Sequence, residues 1–192
     1  MVNQIDVINI CKHELGHWFT AQQYGFDADH IEIKLSANQL SGLSSCTPRP
    51  DLPTKQSILD FLKKRISVLL AGVVSETHKR NFSKNQVQEL YSTTAAVDVE
   101  KMYILLHIVR GIQYSGKIHD KNMSKHLDTI SDECWMRADE IIERNSEKIN
   151  YIATRMASKI DIRKESSYRF DKKNILTFIQ EFKNKKPEHL GL

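Results

Sequence analysis

Cysteine, proline and glycine are all scarce, at 3, 4 and 7 of 192 residues. Cys11, Cys46 and Cys134 are too few to frame a disulfide scaffold, and no Cys-x-x-Cys pair offers a structural zinc site, so they read as reduced thiols in packed positions. Long hydrophobic runs are missing as well. The longest uncharged apolar stretch, residues 66–75 between Arg65 and Glu76, falls well short of the roughly 20 residues of a membrane-spanning helix. Met1 to Lys12 also lacks the basic start, apolar run and small-residue cleavage site of a secretory signal. The expectation is a cytoplasmic protein with no membrane insertion. Nor does one sign of charge dominate: 28 Lys and Arg against 24 Asp and Glu give +4. Basic clusters such as Lys63-Lys64-Arg65 are interrupted by acids, which reads as solvated helix faces with no nucleic-acid partner.

What is present is helical periodicity, in a chain whose 40% hydrophobic content suffices for a core. The expected fold is mainly α, a helical domain over residues 1–183 with a small β-sheet or hairpin after the first helix and a loose polar tail, 184–192. Residues 5–24 place Val7, Ile8, Cys11, Leu15, Trp18 and Phe19 at three- and four-residue spacings, an amphipathic helix ending near Gly25. The segment Ile31-Glu32-Ile33-Lys34-Leu35 alternates apolar and polar residues, as a half-buried strand does, and residues 43–47 are its expected partner. The Ser/Pro-rich stretch 44–53 reads as a loop. A mostly buried helix is expected over 54–79, with Gly72 permitting close packing. A third helix starts at a Thr93 or Thr94 cap and ends at Arg110 before Gly111. Two more follow over 124–143 and 146–160, and a last one, capped by Asp171, over 172–183.

The first helix carries the chemistry. His13-Glu14-Leu15-Gly16-His17 is an HExxH sequence, and on a helix positions i and i+4 share a face, so both imidazoles reach one metal ion. Two His and one carboxylate make a catalytic zinc set whose remaining position holds a water of lowered pKa. Glu14 is then the general base toward that water. The bland alternative is a pair of surface histidines with an i, i+3 contact between Glu14 and His17. A metzincin arrangement is excluded, because Thr20 and Gln23 stand where Gly and His are needed. The third ligand must come from a carboxylate in an otherwise apolar helix, Glu76 or Asp98, and spacing does not choose between them. Cys11, roughly 200° around the helix from His13, is expected to face the core.

Four segments in order resemble the peptidase domain of the FtsH-type ATP-dependent zinc metallopeptidases. KHELGHW, residues 12–18, resembles that family's HEAGH helix. Residues 31–35 with Gly42-Leu43-Ser44 resemble its substrate-side strand and the following turn. LAGVVSE, 70–76, is similar to LAGRAAE, and TTAAVDVEK, 93–101, to TGASNDLEK; residues 138–145 and 149–157 follow the closing helices. The resemblance implies a mainly helical zinc endopeptidase acting on unfolded or flexible proteins. It implies one Zn2+ per chain on His13, His17 and Asp98, Glu14 as base, Glu76 as a supporting carboxylate, and Ile31, Glu32, Ile33, Lys34 and Leu35 as the strand beside which a peptide substrate adds. It also implies a homo-oligomer and work alongside a separate ATPase, since the family's unfoldase and anchor have no counterpart in these residues. The chain departs from the family at Val97, Ala95, Val73 and Trp18, none of them a ligand. Two other readings keep the fold: an inactive binding or adaptor module, and a narrow-substrate, toxin-like protease.

Overall fold

The computed structural model describes residues 2–37, 39–116 and 121–185. In chain order these form α1 (Gln4–Gln23), β1 (Asp27–Ser36), β2 (Gln39–Thr47), α2 (Lys55–Thr77), α3 (Lys84–Ser92), α4 (Ala96–Gln113), α5 (Met123–Ala157), β3 (Ser166–Phe170) and α6 (Lys172–Lys185). The fold is mainly helical with one small antiparallel sheet of order β2-β1-β3.

Local chemistry sets the start of α1. Asn3 Oδ1 accepts hydrogen bonds from the Ile5 and Asp6 amides while Asp6 Oδ2 accepts from the Asn3 amide, satisfying donors that a helix start leaves open. The helix stops at Tyr24, and Gly25 turns the chain with φ +72°, the left-handed conformation that glycine adopts without strain. Thr54 and Ser57 form the same kind of reciprocal cap on α2. The two helices then cross at almost backbone contact. A Cβ on Gly16 would lie 2.3 Å from the Ala71 carbonyl oxygen and 2.8 Å from Ser75 Cβ, and Ser75 Oγ donates to the Lys12 carbonyl across the crossing at 2.8 Å.

Two apolar clusters surround this crossing. Val7, Cys11, Leu15 and Trp18 of α1 pack with Ile31 and Ile33 of β1, Ile142, Ile149, Ile152 and Met156 of α5, and Ile175 and Phe178 of α6. On the other side, Ile66 and Leu70 of α2 pack with Met102, Leu106 and Val109 of α4 and with Ile130 and Cys134 of α5. The first helix is thus held on several sides. That position lets it carry the buried polar residues His13, Glu14, His17 and Thr20.

Several elements differ from the sequence expectation. Residues 44–47 are strand, because β2 pairs with β1 from Ser36↔Gln39 to Asp27↔Thr47. Thr93 does not cap α4; its hydroxyl donates to the Glu89 carbonyl at the end of α3, and α4 starts at Ala96, preceded by Ala95 with no side-chain cap, and continues through Gly111 to Gln113. The two helices expected over 124–160 are one, α5, because the buried stripe passes through the junction at Ile141, Ile142, Ser146 and Ile149. Asn145 there donates to the Ile141 carbonyl within the helix. Neither α3 nor β3 was expected. Asn184 and Lys185, assigned to the tail, close α6, and the rest of that tail lies outside the described residues.

Candidate active site

One turn separates His13 from His17, and both imidazoles point from α1 toward α2 and the start of α4. Asp98, in the first turn of α4, brings its Oδ2 to 3.4 Å from His13 Nε2 and 3.1 Å from His17 Nε2. Nitrogen and oxygen ligands about 2.0–2.1 Å from one tetrahedral zinc ion stand about 3.3–3.4 Å apart, so these spacings match the edges of such a site. Among the described residues His13, His17 and Asp98 are the only group of three or more His, Cys, Asp or Glu side chains whose ligand atoms converge in this way.

The space beside these atoms is kept open by a glycine. A Cβ on Gly72 would lie 2.4 Å from His13 Nε2 and 2.6 Å from His17 Nε2. Any other residue would press its Cβ against both rings; glycine leaves this space open. Gly72 therefore does more than let helices pack. Glycine inside a buried helix costs about 1 kcal/mol relative to alanine, a signal that a close approach is needed there.

The remaining ring atoms are oriented from behind. His17 Nδ1 lies 2.6 Å from the Val68 carbonyl oxygen; donating its proton there leaves Nε2 as the free acceptor. Glu76 Oε2 stands 3.6 Å from His13 Nδ1, too long for a good hydrogen bond but on the opposite side of the ring from Asp98. The geometry thus separates the two carboxylates that spacing left equal: Asp98 faces Nε2 of both rings and Glu76 backs one of them.

Glu14 is buried, 4% exposed, and lies under β2, where a Cβ on Gly42 would come within 2.3 Å of its Oε1. Burial raises the Glu14 carboxyl above its ordinary value; the His17 and His13 charges oppose this and those of Asp98 and Glu76 add to it. Burial alone would lower His13, yet its contacts with Asp98 and Glu76 and the charge of Glu14 hold the imidazole up at about 10. Burial would raise Asp98, and the two imidazoles outweigh it, holding this carboxyl far below the usual carboxylate range. Cys11 is fully buried behind the helix, its thiol pushed up to about 12 mainly by burial.

A cleft of about 550 Å³ opens over the site, floored by Glu14, His17 and Asp98 and walled by residues 40–46 of β2, by Arg65, Val68 and Leu69 of α2, and by Thr93, Thr94, Val97 and Lys101. This corrects the strand expected to meet a peptide. Ile31, Glu32, Ile33, Lys34 and Leu35 belong to the central strand, paired with β2 on one side and β3 on the other, and Ile31, Ile33 and Leu35 are buried. β1 has no free edge. Among the described residues the open edge along the cleft is that of β2; alternation alone does not tell edge from centre, which is decided by where β3 docks.

Compared with protein-family models the chain matches none, and no curated protein matches it. Among the described residues no helix is long and apolar enough to cross a membrane.

Proposed function

We propose that the chain is a zinc-dependent endopeptidase that hydrolyses peptide bonds in unfolded or flexible proteins. One observation carries the reading: Asp98, 85 residues from His13 in sequence, meets the Nε2 atoms of both HExxH histidines at ligand-edge distances. His13, His17 and Asp98 would hold the ion. When bound, zinc supplies Lewis acidity toward a substrate carbonyl and lowers the pKa of water at the site.

Glu14 is the general base. Its carboxylate takes a proton from the water that attacks the carbonyl carbon and returns it to the amide nitrogen as the C–N bond breaks, so that water's oxygen ends on the new carboxylate and the proton on the new amine. The raised pKa of Glu14 suits it to both transfers, since a base effective near neutral pH must also release its proton. The Val68 carbonyl holds the His17 imidazole in place, and Glu76 stands behind that of His13. The open β2 edge offers main-chain donors and acceptors to an extended peptide, and a cleft of about 550 Å³ takes a strand but no folded domain, which favours flexible substrates. The likeness of residues 12–18, 70–76 and 93–101 to the FtsH-type peptidases supports the same reading. A separate unfoldase partner and a ring-shaped homo-oligomer rest on that likeness alone.

The test is Glu14→Gln, which keeps the side chain's size and removes the base. Cleavage of casein is expected to fall about 10²–10⁴-fold, with zinc content and the helical circular-dichroism signal retained. Equal cleavage by both proteins would remove Glu14 from the mechanism.

A further inference from the structure

The cleft wall beside Cys46 carries Arg65, a cation with no carboxylate partner among the described residues, and we propose that the cleft selects peptides bearing an acidic side chain about three residues from the scissile bond, on the side facing Cys46. Past Leu40 the cleft adjoins two pockets, one with Asp6 and Glu76 in its lining and one with Lys34, so that end carries charges of both signs. Of the cleft's charged residues Arg65 stands against Cys46 and Lys101 lies on the α4 wall, and the cleft's only acids are Glu14 and Asp98. Among the described residues neither cation has a carboxylate at ion-pair distance. Arg65 Nη1 donates to Cys46 Sγ at 3.4 Å, and its guanidinium lies 5.8 Å from the Phe26 ring centroid. A half-buried guanidinium whose assigned acceptor is a thiol keeps further donors for a carboxylate, which it binds in a bidentate fork.

The spacing follows from helix geometry. Arg65 precedes Gly72, on which the two histidine rings rest, by seven residues of α2, about 10 Å at 1.5 Å per residue. An extended peptide covers that span in about three residues at about 3.3 Å each. A strand lying on the β2 edge, with its reacting carbonyl over Glu14 and Gly42, therefore brings its third residue toward Arg65. Lys101, exposed one turn after Asp98 on the opposite wall, adds charge of the same sign. At the other end Lys34 stands opposite in sign to Asp6 and Glu76, so the direction of the preference is set by Arg65 alone.

This selectivity rests on the peptidase reading for the position of the cut, while the binding it describes needs no hydrolysis, so two readouts separate them. In the first, casein-derived peptides are digested by zinc-loaded wild type, Arg65→Lys and Arg65→Glu, and the cut sites are aligned. Asp and Glu are expected about tenfold above Lys at the third position on one side of the cut, retained in Arg65→Lys and inverted in Arg65→Glu. Identical profiles for wild type and Arg65→Glu overturn the proposal. In the second, fluorescein-labelled alanine-based peptides carrying one Asp or one Lys are titrated into Glu14→Gln protein with and without Arg65→Glu, read by anisotropy. If wild type cuts nothing in the first readout yet the Asp peptide binds about tenfold tighter here and Arg65→Glu reverses the order, the selectivity stands and the peptidase reading fails. Equal binding of the two peptides overturns the selectivity whether or not cutting occurs.

Discussion

At the scale of single residues, Gly72 and His13 give the sharpest consequences. A methyl group at Gly72 would sit within 2.6 Å of both Nε2 atoms, so Gly72→Ala is expected to weaken zinc binding by at least about tenfold, even though alanine is the better helix former. Calorimetric titration of zinc into the two proteins measures this, and equal affinities would mean that the rings do not share the space beside Gly72. His13 makes metal uptake a proton-releasing event. Its imidazole is held up at about 10 against an ordinary 6.5, so in the metal-free chain it is protonated at neutral pH, whereas an ion takes the neutral ring. Raising the pH removes the competing proton, so affinity is expected to climb toward about pH 10. Near pH 7.5, zinc uptake should release about one proton from His13, with Asp98 already ionised contributing none. Titrations in two buffers of different ionisation enthalpy count that proton. The two carboxylates separate in the same experiment: Asp98→Ala is expected to abolish tight binding, and Glu76→Ala to weaken it about 10–100-fold, as loss of an orienting partner does. The reverse order would make Glu76 the ligand.

At the scale of elements, the crossing of α1 and α2 sets the site, since it puts Gly72 under the histidines and Val68 beside His17. Gly16→Ala would force its Cβ against the Ala71 carbonyl, and the expected cost is about 1–3 kcal/mol of stability, read as a lower urea midpoint with an unchanged slope. The elements legible in the sequence are those whose burial pattern is strongly periodic: α1, α2, α6 and the alternation of β1. Of the misread ones, α3 and β3 lack that signal. α3 has no buried residue, and only the Ser83-x-x-Gln86 capping box marks it, with the Ser83 hydroxyl accepting from the Gln86 amide. β3 is five residues, of which Phe170 alone is buried, and it is strand because β1 has an edge to offer. The Asn145-Ser146 pair looks like a break between helices, but a continuous apolar stripe overrides it.

At the scale of the whole molecule, the ligand set closes only through tertiary structure. The HExxH spacing brings His13, Glu14 and His17 together from one helix turn to the next, whereas Asp98, the third member of the cluster, arrives on α4, positioned by the packing of Met102, Leu106 and Val109 against Ile66 and Leu70 of α2. That is why spacing could not choose between Asp98 and Glu76, and why residues 31–35 read as a sheet edge although they lie in the central strand: each depends on which surfaces meet. The same packing leaves the cleft lined on one wall by an unpaired strand edge and on the other by α2 and the start of α4, an arrangement fitted to an extended chain.

The central claim is that this cluster holds one ion, and the most direct measurement is the metal content of the purified protein, wild type beside His17→Ala, by elemental mass spectrometry after incubation with zinc and removal of the excess. About one zinc per wild-type chain, lost in His17→Ala with helicity retained, is the predicted result. No zinc in either protein, or equal zinc in both, would contradict the account.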